Sequence, residues 1–189
     1  MSGASDLLAG LTPEQCEAVT HVAGPLLVIA GAGSGKTRVI TRRVAHLALS
    51  GVPARGILAV TFTNKAADEM RQRIEQFEGA RGAWVSTFHS LCAAMLRISA
   101  SSIGLHPNYT IYDRDDQLKA VKEAIHVLEK DVTALQPNAV LQAISNAKTR
   151  LLSPAQVSEQ ATSFREELMA KAYTEYQKLL DRNAALDFD

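Results

Sequence analysis

Cysteine is scarce in this chain of 189 residues: only Cys16 and Cys92 occur, too few and too far apart to read as a disulfide framework or a C-x-x-C metal clip. Two such thiols fit a reducing compartment. No stretch approaches the roughly 18 uninterrupted apolar residues of a membrane span, and residues 1–10 lack the basic start and long apolar run of a secretory leader. The expectation from these absences is a cytoplasmic protein that does not enter a membrane. An excess of one charge is missing too, since twenty basic residues balance twenty acidic ones, which argues against a histone-like polycation. The hydrophobic share of 47% rules out disordered and collagen-like classes and suffices for one ordinary core and a second small one.

The balanced charge conceals a gradient. Residues 1–35 carry Asp6, Glu14 and Glu17 and no Lys or Arg, residues 36–97 carry ten basic groups against four acidic, and residues 98–189 carry ten against thirteen. A basic middle between acidic flanks points to a local anion-binding surface.

Periodicity divides the chain into a flexible tail (1–10), an α/β part (11–98) and an all-helical part (99–189). Thr12-Pro13-Glu14-Gln15 supplies a capping hydroxyl and a proline at the first helical position, opening a helix that runs to about His21. Leu26-Leu27-Val28-Ile29-Ala30 is a continuous apolar run closed by glycine and reads as a strand buried on both faces. Helices over 37–49 and 64–77 then alternate with β-rich runs at 57–62 and 84–86, and a further helix passes through Phe88, Leu91, Met95 and Leu96. Such alternation predicts a parallel α/β sheet. After a Ser/Gly/Pro-rich stretch at 99–108 and a short β-like run at 109–112, apolar residues recur at helical spacing from Asp113 onward, with Pro137 and Pro154 at helix starts.

The strongest chemical signal is Ala30-Gly31-Ala32-Gly33-Ser34-Gly35-Lys36-Thr37, placed between an apolar run and a helix. Glycines there let backbone N–H groups approach phosphates, and the following helix directs its positive end at them. Lys36 is expected to reach the β and γ phosphates and Thr37 to hold Mg²⁺. Ala30 stands where the generic pattern has its first glycine. Nucleotide triphosphate binding follows from this loop, but the work it drives does not.

Two further constellations stand at predicted strand ends. Phe62-Thr63-Asn64-Lys65 and Thr87-Phe88-His89 each place an aromatic beside hydroxyl, amide, imidazole or cationic groups, suited to phosphates and to stacking on a base. The competing reading makes Phe62 and Phe88 core aromatics. His89 has no second ligand at helical spacing and is read as a helix cap or a nucleic-acid contact rather than a metal ligand. His21, His46, His106 and His126 read as scattered surface residues, and Arg42 and Arg43 as solvated charges. Asp68-Glu69 follows Lys65-Ala66-Ala67 within a helix, so it reads as helix surface and not as the acidic end of a β-run.

Taken with their order, these segments resemble the N-terminal portion of superfamily 1 DNA helicases of the UvrD/PcrA/Rep type. Leu11-Thr12-Pro13-Glu14-Gln15-Cys16-Glu17-Ala18-Val19 resembles their Q motif, and residues 28–38 resemble motif I, with Ala30 included. Residues 59–70 are similar to motif Ia, residues 85–90 to motif Ib, and Leu186-Asp187-Phe188-Asp189 to a motif near the end of their helical 1B subdomain.

The resemblance implies a P-loop (RecA-like) parallel sheet, the N-terminal part of subdomain 1A, followed by helical 1B. It implies an ATP-dependent 3′-to-5′ DNA helicase that translocates on single-stranded DNA, with ATP and Mg²⁺ as ligands and single strands and single-strand/duplex junctions as partners. Gln15, Ala30, Gly31, Ala32, Gly33, Ser34, Gly35, Lys36, Thr37 and Arg38 are then the nucleotide-binding residues, with Lys36 and Thr37 also catalytic. Phe62, Thr63, Asn64, Lys65, Thr87, Phe88 and His89 are the DNA-binding residues. The family's metal-holding Asp, water-activating Glu, arginine finger and second motor domain are expected downstream, as the remainder of 1A with 2A and 2B, so this stretch alone is expected to lack turnover. The alternatives are the helicase part of a recombination helicase-nuclease and a truncated ATP- or DNA-binding protein without turnover.

Overall fold

A computed structural model of the chain describes residues 7–128 and 135–189. Two compact units divide at Met95 and Leu96.

In the first unit, α1 (Pro13–Thr20) opens with a reciprocal capping box. The Thr12 hydroxyl accepts from the Gln15 N–H while the Gln15 side chain accepts from the Thr12 N–H. Next comes α2 (Lys36–Leu49), whose N-cap is Gly35 at φ +82°, a left-handed conformation that a residue with a Cβ adopts only under strain. Strand β1 (Leu58–Thr61) leads through α3 (Asn64–Glu75) to β2 (Trp84–Thr87), and the strands pair in parallel with Leu58 opposite Trp84 and Thr61 opposite Thr87. Parallel pairing needs a long crossover, and α3 supplies it. Its Ala67, Met70 and Ile74 sit at helical spacing and pack with Val44 and Ala45 of α2, Ile57, Ala59 and Val85 into the core. The unit continues into α4 (Phe88–Ser99).

Two expectations are corrected here. Residues 26–30 form no strand: Leu26 and Val28 line a cavity of about 320 Å³ with Val39 and Ile40 of α2, while Leu27 (84% exposed) and Ile29 (90%) face outward. Side chains alternate as in a strand, but a ladder needs neighbouring backbone on either side, and β1 is hydrogen-bonded to β2 instead. The tail is not wholly loose either. Leu7 is buried in the same core, and the carbonyls of Leu7 and Ala9 accept hydrogen bonds from Arg42, with Ala9 also bonded to Arg38; residues 1–6 lie outside the described residues.

The second unit begins with β3 (Thr110–Ile111) and α5 (Arg114–Val127), whose N-cap Asp113 accepts from the N–H groups of Asp115 and Asp116. After it come α6 (Pro137–Thr149), α7 (Pro154–Gln160) and α8 (Phe164–Arg182), with prolines at the first turn of α6 and α7 and capping boxes at Ser153 and Ser163. Val121, Ala124 and Ile125 of α5 meet Val140, Leu141 and Ile144 of α6 and Leu168, Ala172, Tyr176 and Leu179 of α8 in one apolar cluster. The chain returns as β4 (Ala185–Leu186), parallel to β3, a pairing that two-residue strands do not announce in sequence. No helix among the described residues is long and apolar enough to cross a membrane. The fold is thus α/β, with parallel strands and many helices.

Candidate functional site

The glycine-rich segment ends at the N-terminus of α2, where unpaired N–H groups and the positive end of the helix dipole face the loop. Its side chains converge on its own carbonyls. Lys36 Nζ donates to the carbonyl oxygens of Ala30 (3.0 Å) and Gly31 (2.6 Å), and Ser34 Oγ donates to Gly31 (2.7 Å). Gly33, at φ +75°, and Gly35 make the two left-handed turns the loop requires. Thr37 follows in the first helical turn, half-buried. Gln15, nineteen residues upstream of Ser34, donates from Nε2 to the Ser34 carbonyl at 3.0 Å, so α1 and the loop are directly joined.

The arginines of α2 do something the sequence does not announce. Arg43 donates to the carbonyls of Ala18 and His21 at the C-terminal end of α1, and Arg42 donates to Leu7 and Ala9. The reading of both as solvated charges is therefore corrected: they satisfy carbonyls that the helix end and the docked N-terminal segment leave open. Arg38 likewise donates to Ala9 (3.1 Å), with its guanidinium against Gly10. Its charge is directed to the N-terminal segment.

At the carboxyl ends of β1 and β2, Phe62 and Phe88 come together as a tilted pair with ring centroids 5.2 Å apart. Both are exposed, Phe62 at 85% and Phe88 at 44%, so neither is a core aromatic. Thr63 caps α3 by accepting from the Ala66 N–H, and its hydroxyl hydrogen remains a donor for an outside group. Asn64, Lys65 and His89 are exposed near the same strand ends. Thr87 is buried, and its hydroxyl both accepts from the Ser90 N–H and donates to the Ser90 hydroxyl, which fixes the start of α4 rather than presenting a donor to the surface.

Asp68 and Glu69 lie on the exposed side of α3, where they pair with Arg71 (2.6 Å) and Arg73 (3.9 Å), and not at a strand end. Among the described residues no cluster of three His, Cys, Asp or Glu could hold a metal ion. The Thr37 hydroxyl, in the first turn of α2, is an oxygen ligand suited to a hard cation, whereas the Ser34 hydroxyl donates to the Gly31 carbonyl. Mg²⁺ fits such a site because it keeps several waters and takes its other oxygens from phosphates.

The order of these segments along the chain is matched by a family model. The UvrD/REP helicase N-terminal domain model aligns with residues 11–189. The chain belongs to this family. Among its relatives, the ATP-dependent DNA helicase PcrA of Staphylococcus aureus is 45% identical over 186 residues, covering 97% of this chain and 26% of the relative. The PcrA of Bacillus subtilis is 45% identical over 188 residues, covering 98% of this chain and 25% of the relative. This UvrD/REP-type chain therefore spans about a quarter of the length of those relatives.

Proposed function

We propose that this chain is the nucleotide-binding front part of a 3′-to-5′ ATP-dependent DNA helicase, a RecA-like motor that translocates on single-stranded DNA and engages single-strand/duplex junctions. The observation that carries the reading is the glycine-rich loop at the N-terminus of α2 with Lys36, Thr37 and Gln15 gathered on it. In this reading the loop N–H groups and Lys36 bind the triphosphate and hold it in place, and Gln15 reads adenine. Thr37 would be one ligand of Mg²⁺, which would supply charge neutralisation on the phosphates.

The exposed Phe62–Phe88 pair offers a face to bases in any sequence, and Lys65, Asn64, Thr63 and His89 offer donors to the phosphates. Sequence-tolerant stacking suits a motor that moves along any strand. Since Asp68 and Glu69 are committed to ion pairs on α3, the carboxylates that hold the metal and activate water are assigned to parts of a longer protein beyond these residues.

ATP binding and hydrolysis with and without single-stranded DNA, with Lys36→Ala as control, test this. The expected result is ATP binding that Lys36→Ala reduces at least about ten-fold, with no turnover by these residues alone. DNA-stimulated turnover by them would show that a catalytic carboxylate lies within them, and ATP binding indifferent to Lys36→Ala would remove the site itself.

A further inference from the structure

Helix α6 ends in a Schellman turn, in which the Leu151 N–H donates to the Lys148 carbonyl at 2.8 Å and the Leu152 N–H to the Ala147 carbonyl at 2.9 Å. Such a turn needs one left-handed residue. Leu151 takes that conformation at φ +57°, in a position that glycine fills with less strain. Nothing inside the helical unit offsets this, because the Leu151 side chain is 90% exposed while Leu152 turns in to pack on the core. Ala184, the other left-handed residue besides glycine among the described residues, is different: it turns the chain into β4, and its carbonyl accepts from the Thr110 N–H. A fully exposed apolar side chain on a strained backbone points to a contact outside the fold.

Arg150 and Leu152, on either side of Leu151, line a cavity of about 320 Å³ between α6, α7 and the start of α8. Ala147, Leu152 and Met169 give it an apolar floor, and the exposed Asn146, Arg150 and Gln160 stand around it. These three carry donors that the fold leaves open. Among the described residues the Arg150 guanidinium and the Gln160 amide make no hydrogen bond or ion pair, and Asn146 uses only its Oδ1, which accepts from Gln142. Glu166 also lines the cavity, but its Oε2 is engaged at the start of α8, accepting from the Thr162 and Ser163 N–H groups and the Thr162 hydroxyl.

We propose that this corner docks a peptide segment of a partner protein in which an apolar side chain stands beside a carboxylate. The apolar side chain fills the cavity and Leu151 packs against the peptide next to it. Arg150 takes the carboxylate through two parallel N–H···O bonds, and the Asn146 and Gln160 amides donate to the peptide's carbonyls. A cation without a carboxylate of its own, set beside an apolar floor, selects for both features at once. Nucleic acid is the weaker fit. Residues 98–189 carry ten basic groups against thirteen acidic ones, too few to track a phosphate backbone, and phosphates give Leu151 nothing to pack on.

The probes are short fluorescein-labelled Gly/Ser peptides, each carrying one leucine, phenylalanine or tryptophan next to an aspartate, and matched peptides with asparagine in place of the aspartate. Anisotropy titrations use the parent chain, Arg150→Gln and Leu151→Gly. The parent is expected to prefer an aspartate peptide over its asparagine match about ten-fold, as charge-assisted hydrogen bonds support. Arg150→Gln should erase that preference and leave the asparagine peptide bound as in the parent. Leu151→Gly should weaken both peptides about three-fold or more and yet melt no lower than the parent, since glycine relieves the left-handed turn. A leucine that served only the fold would do the reverse. The proposal is overturned by a parent that binds neither set of peptides, by an aspartate preference that survives Arg150→Gln, or by a Leu151→Gly that melts lower with peptide binding intact. Displacement of the peptide by a single-stranded or duplex DNA oligonucleotide whose own binding falls in Arg150→Gln would assign the corner to nucleic acid and overturn it as well.

Discussion

The Lys148 ammonium and the Asp187 carboxylate form an ion pair across the helical unit, with the Asp187 side chain only 3% exposed and the Tyr176 hydroxyl donating to the same carboxylate oxygen at 2.8 Å. Burial pushes the Tyr176 phenol well above its ordinary range, and the Asp187 charge adds to the shift. The carboxylate thus has a cation and a neutral donor, and the Tyr176 phenol keeps its proton at any ordinary pH.

Breaking this pair on one side leaves a buried charge without its partner. Lys148→Ala is expected to destabilise the helical unit by about 3 kcal/mol, because a buried ion stripped of its counter-ion costs far more than an intact pair contributes. Lys148→Met combined with Asp187→Leu should recover most of that loss. Urea denaturation followed by circular dichroism provides the measurement, and additive losses in the double variant would count against a coupled pair.

Acid should loosen the same unit through its helix caps. Backbone N–H groups hold the Asp113 carboxyl below its ordinary 3.8, that of Asp116 contributing most, and the Thr162 N–H leads the contacts that hold Glu166 below 4.5. A carboxyl depressed on folding contributes stability that is complete above its unfolded pKa and lost as pH falls through the folded one. Melting temperature is therefore expected to hold level down to about pH 4.5 and to fall below it. Asp113→Asn keeps a capping acceptor but not the charge, so it should flatten that fall by being somewhat less stable than the parent at pH 7 and equal to it in acid. Parallel pH profiles for parent and variant would remove this cap from the acid transition.

Single-stranded DNA binding should depend on the aromatic pair more than nucleotide binding does. Phe62→Ala is expected to weaken binding of a homopolymeric single strand by about 1–3 kcal/mol, the worth of one base stacked on one ring, and to leave ATP affinity unchanged. Equal loss of both ligands would mean that Phe62 supports the fold.

Leu27 and Ile29 stand out from the first unit on a segment that has no ladder partner, and such an exposed apolar surface invites pairing with another chain. Sedimentation of the 189-residue chain should show concentration-dependent self-association, reduced in Leu27→Thr/Ile29→Thr. A monomer at all concentrations with a sharp cooperative melt would contradict this.

The helices were legible in the sequence because their causes are local. Thr12 with Pro13, and Pro137 and Pro154, each act within a turn, and the apolar spacing from Leu118 to Leu179 places one face of each helix inward. The glycine-rich loop was legible for the same reason, since its chemistry is written in adjacent residues. The candidate DNA surface was half legible: residue types announced aromatics and donors, but exposure was needed to separate Phe62 and Phe88 from a core, and to show that Thr87 is turned inward.

What only the tertiary structure decided are the contacts between residues far apart in the chain. Gln15 reaches Ser34 across 19 residues, Arg43 reaches Ala18 across 25, and Lys148 reaches Asp187 across 39. The run at 26–30 has the composition and alternation of a strand, and those are properties of the segment itself. A ladder is a property of two segments, and the absence of pairing with β1 or β2 kept residues 26–30 from becoming a strand.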